Sequence, residues 1–299
     1  MLDLQQLIEP LSLEEFLERD FSRNWRHFQG EPGRFTNLTS EELVLKSIDS
    51  RDITANRLTM LHGGELIAQE LYASPGSGPA LIRPEAKRIK HHLNQGAVLL
   101  LTHAEQLHQP LWDAAESIGN QLEESVTVNL YLGGPQSKGF GLHIDHHDVL
   151  VMQVEGHKSW EVREPSLKHP LLLPDHITEP PDEKLWQGTL ASGEMLYLPR
   201  GYWHKAHAQD ATSLHLTFGI QPCTGLHFLG WIRKRLLSSE AFRNDIPRHN
   251  KDTMKNYLES LAAAVQELHD TEHLELFLKE HADRIHSERT KLKITLQSQ

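Results

Sequence analysis

Two histidines and one aspartate in this chain have the types and spacing of a metal-binding face. His143 and Asp145 lie two positions apart, and His204 follows much later, at the end of the string LYLPRGYWH. Side chains two positions apart on a β-strand point to the same side of a sheet, so this pair can share a metal with a histidine from another strand. Such a set leaves the other coordination positions open, a geometry typical of non-heme Fe(II) oxygenases.

The His-x-Asp/Glu pattern alone does not identify this pair, because the chain has 21 histidines. The pattern occurs at His103/Glu105, His143/Asp145, His146/Asp148, His273/Glu275, His281/Asp283 and His286/Glu288. The last three fall in a predicted helical tail, where residues two apart point roughly 200° apart and cannot share a metal. The first has no distal partner that the sequence places near it. His146/Asp148 stays a rival, because strand parity disfavours it without excluding it.

Composition and charge narrow the class of protein. The chain has 299 residues, of which 38% are hydrophobic and 24% charged, as in a soluble globular protein with a substantial core. The net charge of -11 argues against direct nucleic-acid binding and permits a basic macromolecular substrate. The single cysteine, Cys223, excludes an intrachain disulfide framework and a cysteine-rich zinc site.

Localisation is predicted from what the sequence lacks. The N-terminus has no basic segment followed by an apolar one, so we expect no signal peptide. No run approaches the ~20 apolar residues of a membrane-spanning helix, so we expect no membrane association. A cytoplasmic protein is the resulting prediction.

Short segments with strand character crowd the middle of the chain and must position the motif residues. The predicted strands are 97–102, 126–132, 148–154, 159–162, 195–198 and 213–220. Glycine- and proline-containing turns separate them, and two predicted helices, 84–93 and 107–122, precede most of them. Many short strands punctuated by turns favour a β-sandwich or barrel over a parallel sheet. A double-stranded β-helix, the cupin jelly roll, is the natural candidate.

The chain is predicted to have three regions. Residues 1–80 are a mixed, mostly helical lead-in that packs on the core, and the breaker cluster SPGSGP at 74–79 is a plausible boundary. Residues 81–222 form the β domain. Residues 223–299 carry three amphipathic helical patterns, which predict a small bundle or a dimerisation appendage. The predicted fold class is therefore a mainly β core with α-helical N-terminal and C-terminal additions.

Several spaced motifs occur in order between about residues 90 and 222. They are Asn129-Leu-Tyr131, Gly139-Phe-Gly-Leu-His143-Ile-Asp145, Asp148-Val-Leu-Val-Met-Gln153, Gly156-His-Lys158-Ser-Trp160, Gly193-Glu-Met-Leu-Tyr-Leu-Pro-Arg-Gly-Tyr-Trp-His204 and Ser213-Leu-His215-Leu-Thr217. Together they resemble the JmjC (Jumonji C) oxygenases, in particular the ribosomal-oxygenase-like, cupin-type branch. The resemblance favours the pair at 143/145 over the pair at 146/148. It implies that His143, Asp145 and His204 are the Fe(II) ligands.

The same resemblance implies a cosubstrate site for 2-oxoglutarate, with O2 as the oxidant. Lys158 matches the basic residue that pairs with the distal carboxylate of 2-oxoglutarate. Asn129 and Tyr131 match polar residues that line the cosubstrate pocket, and Ser213 matches a further one. Lys158 and Trp160 share a strand face, and an inward lysine needs a charge partner, which a bound carboxylate provides.

The resemblance implies an enzyme, a 2-oxoglutarate-dependent dioxygenase that hydroxylates an amino-acid side chain of a protein or peptide. Histidine or arginine in a ribosomal protein is the family-level expectation, and a homodimer through the C-terminal helices is expected. About 77 residues follow Pro222, so the winged-helix module of the ribosomal branch is expected to be absent or much reduced. The alternatives are a hydroxylase of a small peptide or metabolite, an N-methyl-lysine demethylase, a non-catalytic metal-binding cupin, and a cupin holding another divalent metal.

Overall fold

The structure, a computed structural model, describes residues 2–50, 57–75, 82–171, 179–209 and 211–297. The chain divides into two units, Met1–Gln221 and Pro222–Gln299. Residues 76–79 of the breaker cluster lie outside the described residues, so a domain boundary there stays a prediction, as do the other predicted domain limits.

Two antiparallel sheets form the core of the first unit. Its strands are β1 (Arg26–Phe28), β2 (Leu58–His62), β3 (Glu65–Leu66), β4 (Ala73–Pro75), β5 (Ile82–Pro84), β6 (Ala97–Leu101), β7 (Ser125–Gly133), β8 (Asp148–Glu155), β9 (His157–Arg163), β10 (Trp186–Ala191), β11 (Met195–Leu198), β12 (Trp203–Ala208) and β13 (Ser213–Gln221). The large sheet has the order β1-β11-β8-β13-β7-β6-β2-β3, the small sheet has the order β10-β9-β12, and β4 and β5 form a separate pair. The predicted mainly β, cupin-type fold is confirmed.

Helices cover the outer face of the large sheet. In the first unit they are α1 (Leu4–Leu7), α2 (Leu13–Arg19), α3 (Glu41–Ser50), α4 (Ala86–Leu93) and α5 (Gln109–Leu122), with short 3-10 turns at Gln69–Leu71 and Ala104–Gln106. Leu111, Ala115 and Ile118 of α5 lie on one stripe and are buried in the main core. The helical addition that the sequence predicts at the N-terminal side is therefore present.

Strand β8 shows how the sequence builds a core on each side of the large sheet. Its Leu150, Met152 and Val154 are buried in the main core with the helices. Its Val149 and Val151 belong to a second core, shared with the small sheet. Because successive side chains of a strand point to opposite faces, a strand that is apolar throughout must be covered on both sides. The functional site lies on the side of Val149 and Val151, between the two sheets.

The second unit is helical. It contains α6 (Gly225–Leu236), α7 (Glu240–Arg243), α8 (Lys251–Gln266) and α9 (Thr271–Gln297). Trp231, Ile232 and Leu236 of α6 pack with Phe277 of α9 in a small buried cluster. The predicted C-terminal helical addition is therefore present. Among the helices that the structure describes, none has the length and apolar character needed to cross a bilayer.

Candidate active site

The segment that carries His143 and Asp145 is irregular and links β7 to β8, so the premise that the pair lies on a strand is wrong. An isolated antiparallel bridge joins His143 to His204 of β12. The backbone N–H of His143 donates to the carbonyl of His204 at 3.1 Å, and the reverse bond is 2.8 Å long. The backbone N–H of Gly201, in the turn before β12, donates to the carbonyl of Asp145 at 2.9 Å. The three side chains are therefore brought together by backbone pairing between distant segments. They do not share the face of one strand.

The ligand atoms of His143, Asp145 and His204 lie within 4.8 Å of one another. Nε2 of His204 is 3.5 Å from a carboxylate oxygen of Asp145, and the two imidazole rings have centroids 4.3 Å apart. Among the described residues, no other group of three acidic, histidine or cysteine side chains meets this criterion. Two nitrogens and one oxygen gathered at this spacing suit a divalent transition metal with open positions.

The second nitrogen of each imidazole is already occupied. Nδ1 of His143 lies 2.8 Å from the carbonyl of Gly141, and Nδ1 of His204 lies 3.0 Å from the carbonyl of Tyr202. A carbonyl can only accept, so each Nδ1 carries the proton and each Nε2 keeps its lone pair for a metal. Burial, followed by the neighbouring His143, lowers the pKa of His204 to about 4, so His204 is neutral at physiological pH. The donor set therefore fits Fe(II).

The carboxylate of the rival pair, Asp148, is engaged in hydrogen bonds within the protein. Asp148 is buried and accepts hydrogen bonds from the Tyr197 hydroxyl at 2.6 Å, the Ser22 hydroxyl at 2.8 Å and the Arg200 backbone N–H at 2.9 Å. With three donors on its two oxygens, it has little capacity left for a metal. Its partner His146 is exposed. Asp148 instead ties β8 to the N-terminal segment and to the turn that precedes β12.

A cavity lies between the two sheets, with about 520 Å³ of empty space including its open side. Its lining residues are Val98, Tyr131, Gly139, Phe140, His143, Asp145, Val149, Val151, Lys158, Trp160, His204, Ala206, His215 and Thr217. A mostly apolar wall with a few polar groups is typical of small-molecule sites. The three candidate ligands therefore face a space that could hold a small cosubstrate.

Lys158 lies in the wall of this cavity, on β9. Gly156, with a φ of +67°, makes the turn from β8 to β9 and lies against the carbonyl of Thr212, so a side chain there would clash. Lys158 is 4% exposed, and its Nζ lies 2.8 Å from Nδ1 of His215. Burial lowers the pKa of Lys158 to about 7. A buried ammonium without a counter-charge is costly. Asp145, a candidate metal ligand, is the one carboxylate among the described lining residues, so a bound carboxylate would be a suitable partner for Lys158.

Of the other predicted cosubstrate residues, one lines the cavity and two do not. Tyr131 lines the cavity, and burial, followed by the charge of Asp145, raises the pKa of its hydroxyl. Asn129 and Ser213 are not among the described lining residues. Asn129 is hydrogen-bonded to Tyr131, and the Ser213 hydroxyl accepts a hydrogen bond from Gln153 at 2.8 Å. Contact of Asn129 or Ser213 with a cosubstrate stays a prediction.

Four side chains that the structure places in the lining had no predicted site role: Phe140, Trp160, His215 and Thr217. Two of them had a signal, because His215 and Thr217 share a strand face with Ser213. Trp160 shares the face of Lys158 in the same way. Phe140 stands between Gly139 and Gly141 in an irregular segment and is 37% exposed, so no periodicity could have found it.

Sequence comparisons agree with this geometry. Residues 100–227 match the JmjC domain family. Over 296 residues, the chain is 26% identical to the uncharacterized protein YxbC of Bacillus subtilis (strain 168), a match that covers 90% of this chain and 88% of YxbC. It is 31% identical over 170 residues to ribosomal oxygenase 1 of Homo sapiens, covering 53% of this chain and 26% of that protein. It is also 34% identical over 136 residues to the bifunctional lysine-specific demethylase and histidyl-hydroxylase NO66 of Caenorhabditis elegans, covering 43% and 18%.

The fold is also that of a solved ribosomal oxygenase. The structure of YcfD from Escherichia coli in complex with cobalt and 2-oxoglutarate superposes with a TM-score of 0.61 at 17% identity, covering 91% of this chain and 71% of YcfD. The chain spans about a quarter or less of the length of the animal relatives named above. Residues 100–227 thus match the JmjC domain family, and parts of the chain are similar to ribosomal oxygenases.

Proposed function

We propose that this protein is an Fe(II)- and 2-oxoglutarate-dependent oxygenase that hydroxylates an amino-acid side chain of a protein or peptide. One observation carries the proposal. His143, Asp145 and His204 gather three ligand atoms within 4.8 Å on the wall of a cavity that also contains a buried lysine, Lys158. A metal with open coordination positions and a cation for the distal carboxylate are two features that suit the binding of 2-oxoglutarate.

The residues of the chain have separate tasks in this proposal. When bound, Fe(II), 2-oxoglutarate and O2 supply the oxidation, in which 2-oxoglutarate is converted to succinate and CO2 and one oxygen atom enters the substrate as a hydroxyl group. His143, Asp145 and His204 hold the metal by one face, while Lys158 orients the cosubstrate through its distal carboxylate. Val149 and Val151 supply apolar wall that excludes water from the reacting groups.

The substrate is proposed from the relatives. Human ribosomal oxygenase 1 and the nematode histidyl-hydroxylase are similar to parts of this chain, which supports a histidine of a ribosomal protein as the target. An arginine is the alternative that the family resemblance implies. The acidic net charge of the chain supports a basic protein partner. A ribosomal substrate also agrees with the predicted cytoplasmic location. Demethylation of an N-methyl-lysine begins with the same hydroxylation, and release of formaldehyde would reveal it.

The test is turnover with Fe(II) and 2-oxoglutarate, followed by mass spectrometry of ribosomal proteins from the same cell. We expect succinate release that needs both Fe(II) and 2-oxoglutarate, and a ribosomal protein that gains the mass of one oxygen atom. Succinate release without modification of any ribosomal protein would keep the oxygenase and reject the ribosomal substrate. Absence of succinate from folded, iron-loaded protein would leave a non-catalytic metal-binding cupin.

We further propose that the protein is a homodimer through its C-terminal helices. The second unit exposes large apolar side chains that its own small core does not cover: Leu226, Leu229, Leu237, Phe242, Ile246, Met254, Leu258, Leu274, Leu276, Leu278 and Leu292. Met254 and Leu258 lie four positions apart and form a stripe on α8. An apolar surface of this kind is typical of an oligomeric interface.

The dimer is tested by measuring the molar mass in solution. We expect the wild-type chain to elute with the mass of two chains. Leu258→Glu, which places a charge on the stripe, should give the mass of one chain. Asn256→Glu is the matched control, because it adds the same charge to the same helix about 200° away and should stay dimeric. A monomeric wild type, or equal dissociation of both variants, would reject this interface.

A further inference from the structure

Lys158 and His215 meet across the gap between the two sheets. Lys158 lies on β9 of the small sheet, and His215 lies on β13 of the large sheet. The two strands share no backbone pairing, so the contact of 2.8 Å between Nζ and Nδ1 is made by side chains alone. Both residues are 4% exposed. A hydrogen bond in so dry a position is strong and fixes the direction of both side chains.

The imidazole of His215 is held from two further sides. It stacks on the ring of Tyr131, its cross-strand partner on β7, with centroids 4.6 Å apart and planes at 9°. The edge of Trp160 packs against it with centroids 5.8 Å apart and planes at 70°. Burial and the adjacent Lys158 hold the pKa of His215 well below its ordinary value, so the ring is neutral and Nδ1 can accept from the ammonium. His215 is therefore a rigid acceptor for Lys158.

Two buried donors near this contact, the Lys158 ammonium and the Trp160 indole N–H, lack an anionic or oxygen partner that a bound ligand would supply. Lys158 is buried, and among the described residues no carboxylate lies within salt-bridge distance of its ammonium. The indole N–H of Trp160 is also buried, and no described residue accepts its hydrogen bond. Trp160 stacks on His204 with ring centroids 6.1 Å apart and makes a T-shaped contact with His215, so it lies between the candidate metal ligands and the partner of the lysine. Buried donors normally find an acceptor, and here a ligand oxygen would be one.

We propose that His215 is a positioning residue of the cosubstrate site, which fixes Nζ of Lys158 at the distance from the metal ligands that a five-carbon 2-oxo diacid spans. This inference rests on the proposed function, since it assigns His215 to the same site. The role of His215 is to keep the Lys158 side chain in one conformation before the ligand binds. A lysine has four rotatable side-chain bonds, and an acceptor that holds its ammonium in place removes the ordering cost from the binding step.

The proposal makes His215 a determinant of chain length in the ligand. If Nζ of Lys158 is fixed, a metal-bound diacid that is one carbon shorter cannot reach Nζ. A diacid that is one carbon longer must adopt a bent conformation to fit. Without the acceptor, Lys158 can move to meet ligands of different length. Affinity for 2-oxoglutarate and discrimination among diacids should therefore fall together.

The experiment measures binding of 2-oxoglutarate, oxaloacetate and 2-oxoadipate to the Mn(II)-loaded full chain by calorimetry. His215→Leu removes the acceptor at similar volume, and His215→Asn keeps an acceptor near the position of Nδ1. We expect His215→Leu to weaken 2-oxoglutarate binding by about 10- to 100-fold, the effect of losing a hydrogen bond to a charged group. His215→Asn should restore affinity to within about threefold of wild type. Mn(II) affinity, measured without diacid, should be the same in all three proteins.

The outcomes separate this inference from the proposed function. Loss of affinity together with loss of preference for 2-oxoglutarate, reversed by asparagine, supports the positioning role. Unchanged affinity in His215→Leu overturns it while the oxygenase proposal stands. Equal loss for all three diacids, with no rescue by asparagine, would give His215 a packing role alone and also overturns it. If wild type binds Mn(II) but none of the diacids, the proposed function itself fails.

Discussion

Replacing His143 by alanine is expected to abolish turnover of 2-oxoglutarate, with a loss of about 1,000-fold or more. The variant loses one of three metal ligands, and a loss of this size corresponds to about 4 kcal/mol at 1.36 kcal/mol per tenfold change in rate. His143 Nε2 is free for a metal because Nδ1 is engaged by the carbonyl of Gly141. The measurement is succinate release at saturating Fe(II), together with the affinity for Mn(II), which should fall in parallel.

His146→Ala is the matched control for this variant. It removes the same side chain three positions later, from an exposed residue whose ring makes an edge contact with His147, with centroids 5.2 Å apart. We expect His146→Ala to keep turnover within about twofold, as is usual for a surface change away from the site. Equal loss in both variants would point to damage of the whole segment between β7 and β8. Full activity of His143→Ala would remove this residue from the metal site and with it the proposed chemistry.

Strands β8 and β11 of the large sheet could be predicted from the sequence because they are buried on both faces. The predicted segments 148–154 and 195–198 agree with β8 and β11 to within one residue, since each is a short, nearly continuous apolar run between turns. The small sheet was harder. Strand β12 reads WHKAHA and β10 reads WQGTLA, and neither has an apolar alternation that marks a strand. Both segments become strands because they pair with β9. Such pairing depends on tertiary structure and cannot be predicted from the local sequence.

The candidate site could be predicted only as far as residue types and strand faces allow. Parity put Ser213, His215 and Thr217 on one face, but it could not say where along that face the cavity lies. The register between β13 and β8 shifts at Leu214/His215, and the cavity is lined from His215 onward while Ser213 bonds to Gln153. A register shift is set by packing of two strands and has no signature in either one alone. The approach of His143 to His204 is likewise a bridge between distant segments.

Lys158→Ala is expected to lower the affinity for 2-oxoglutarate by at least about 100-fold, because it removes the one lysine or arginine that the described residues place in the cavity lining to meet the distal carboxylate. The affinity of the wild-type protein should also depend on pH in a defined direction. Burial lowers the pKa of Lys158 to about 7 in the free protein, and a bound carboxylate raises it. Binding is therefore strongest below about pH 7, where Lys158 is already charged. It weakens above that pH by up to about tenfold per unit, until the pKa of the complex is reached.

The groups that face Lys158 should not produce this slope themselves. The pKa of His215 lies well below its ordinary value and that of Tyr131 well above, so neither changes its charge between pH 7 and 9. Lys158→Arg is the control, because a guanidinium stays charged throughout this range. Calorimetric titration of the Mn(II)-loaded proteins should give a wild-type affinity that falls with rising pH and an arginine variant whose affinity is flat. An equal slope in both would assign the titration to the metal site, and a wild-type affinity that rises with pH would contradict a charged lysine as the carboxylate anchor.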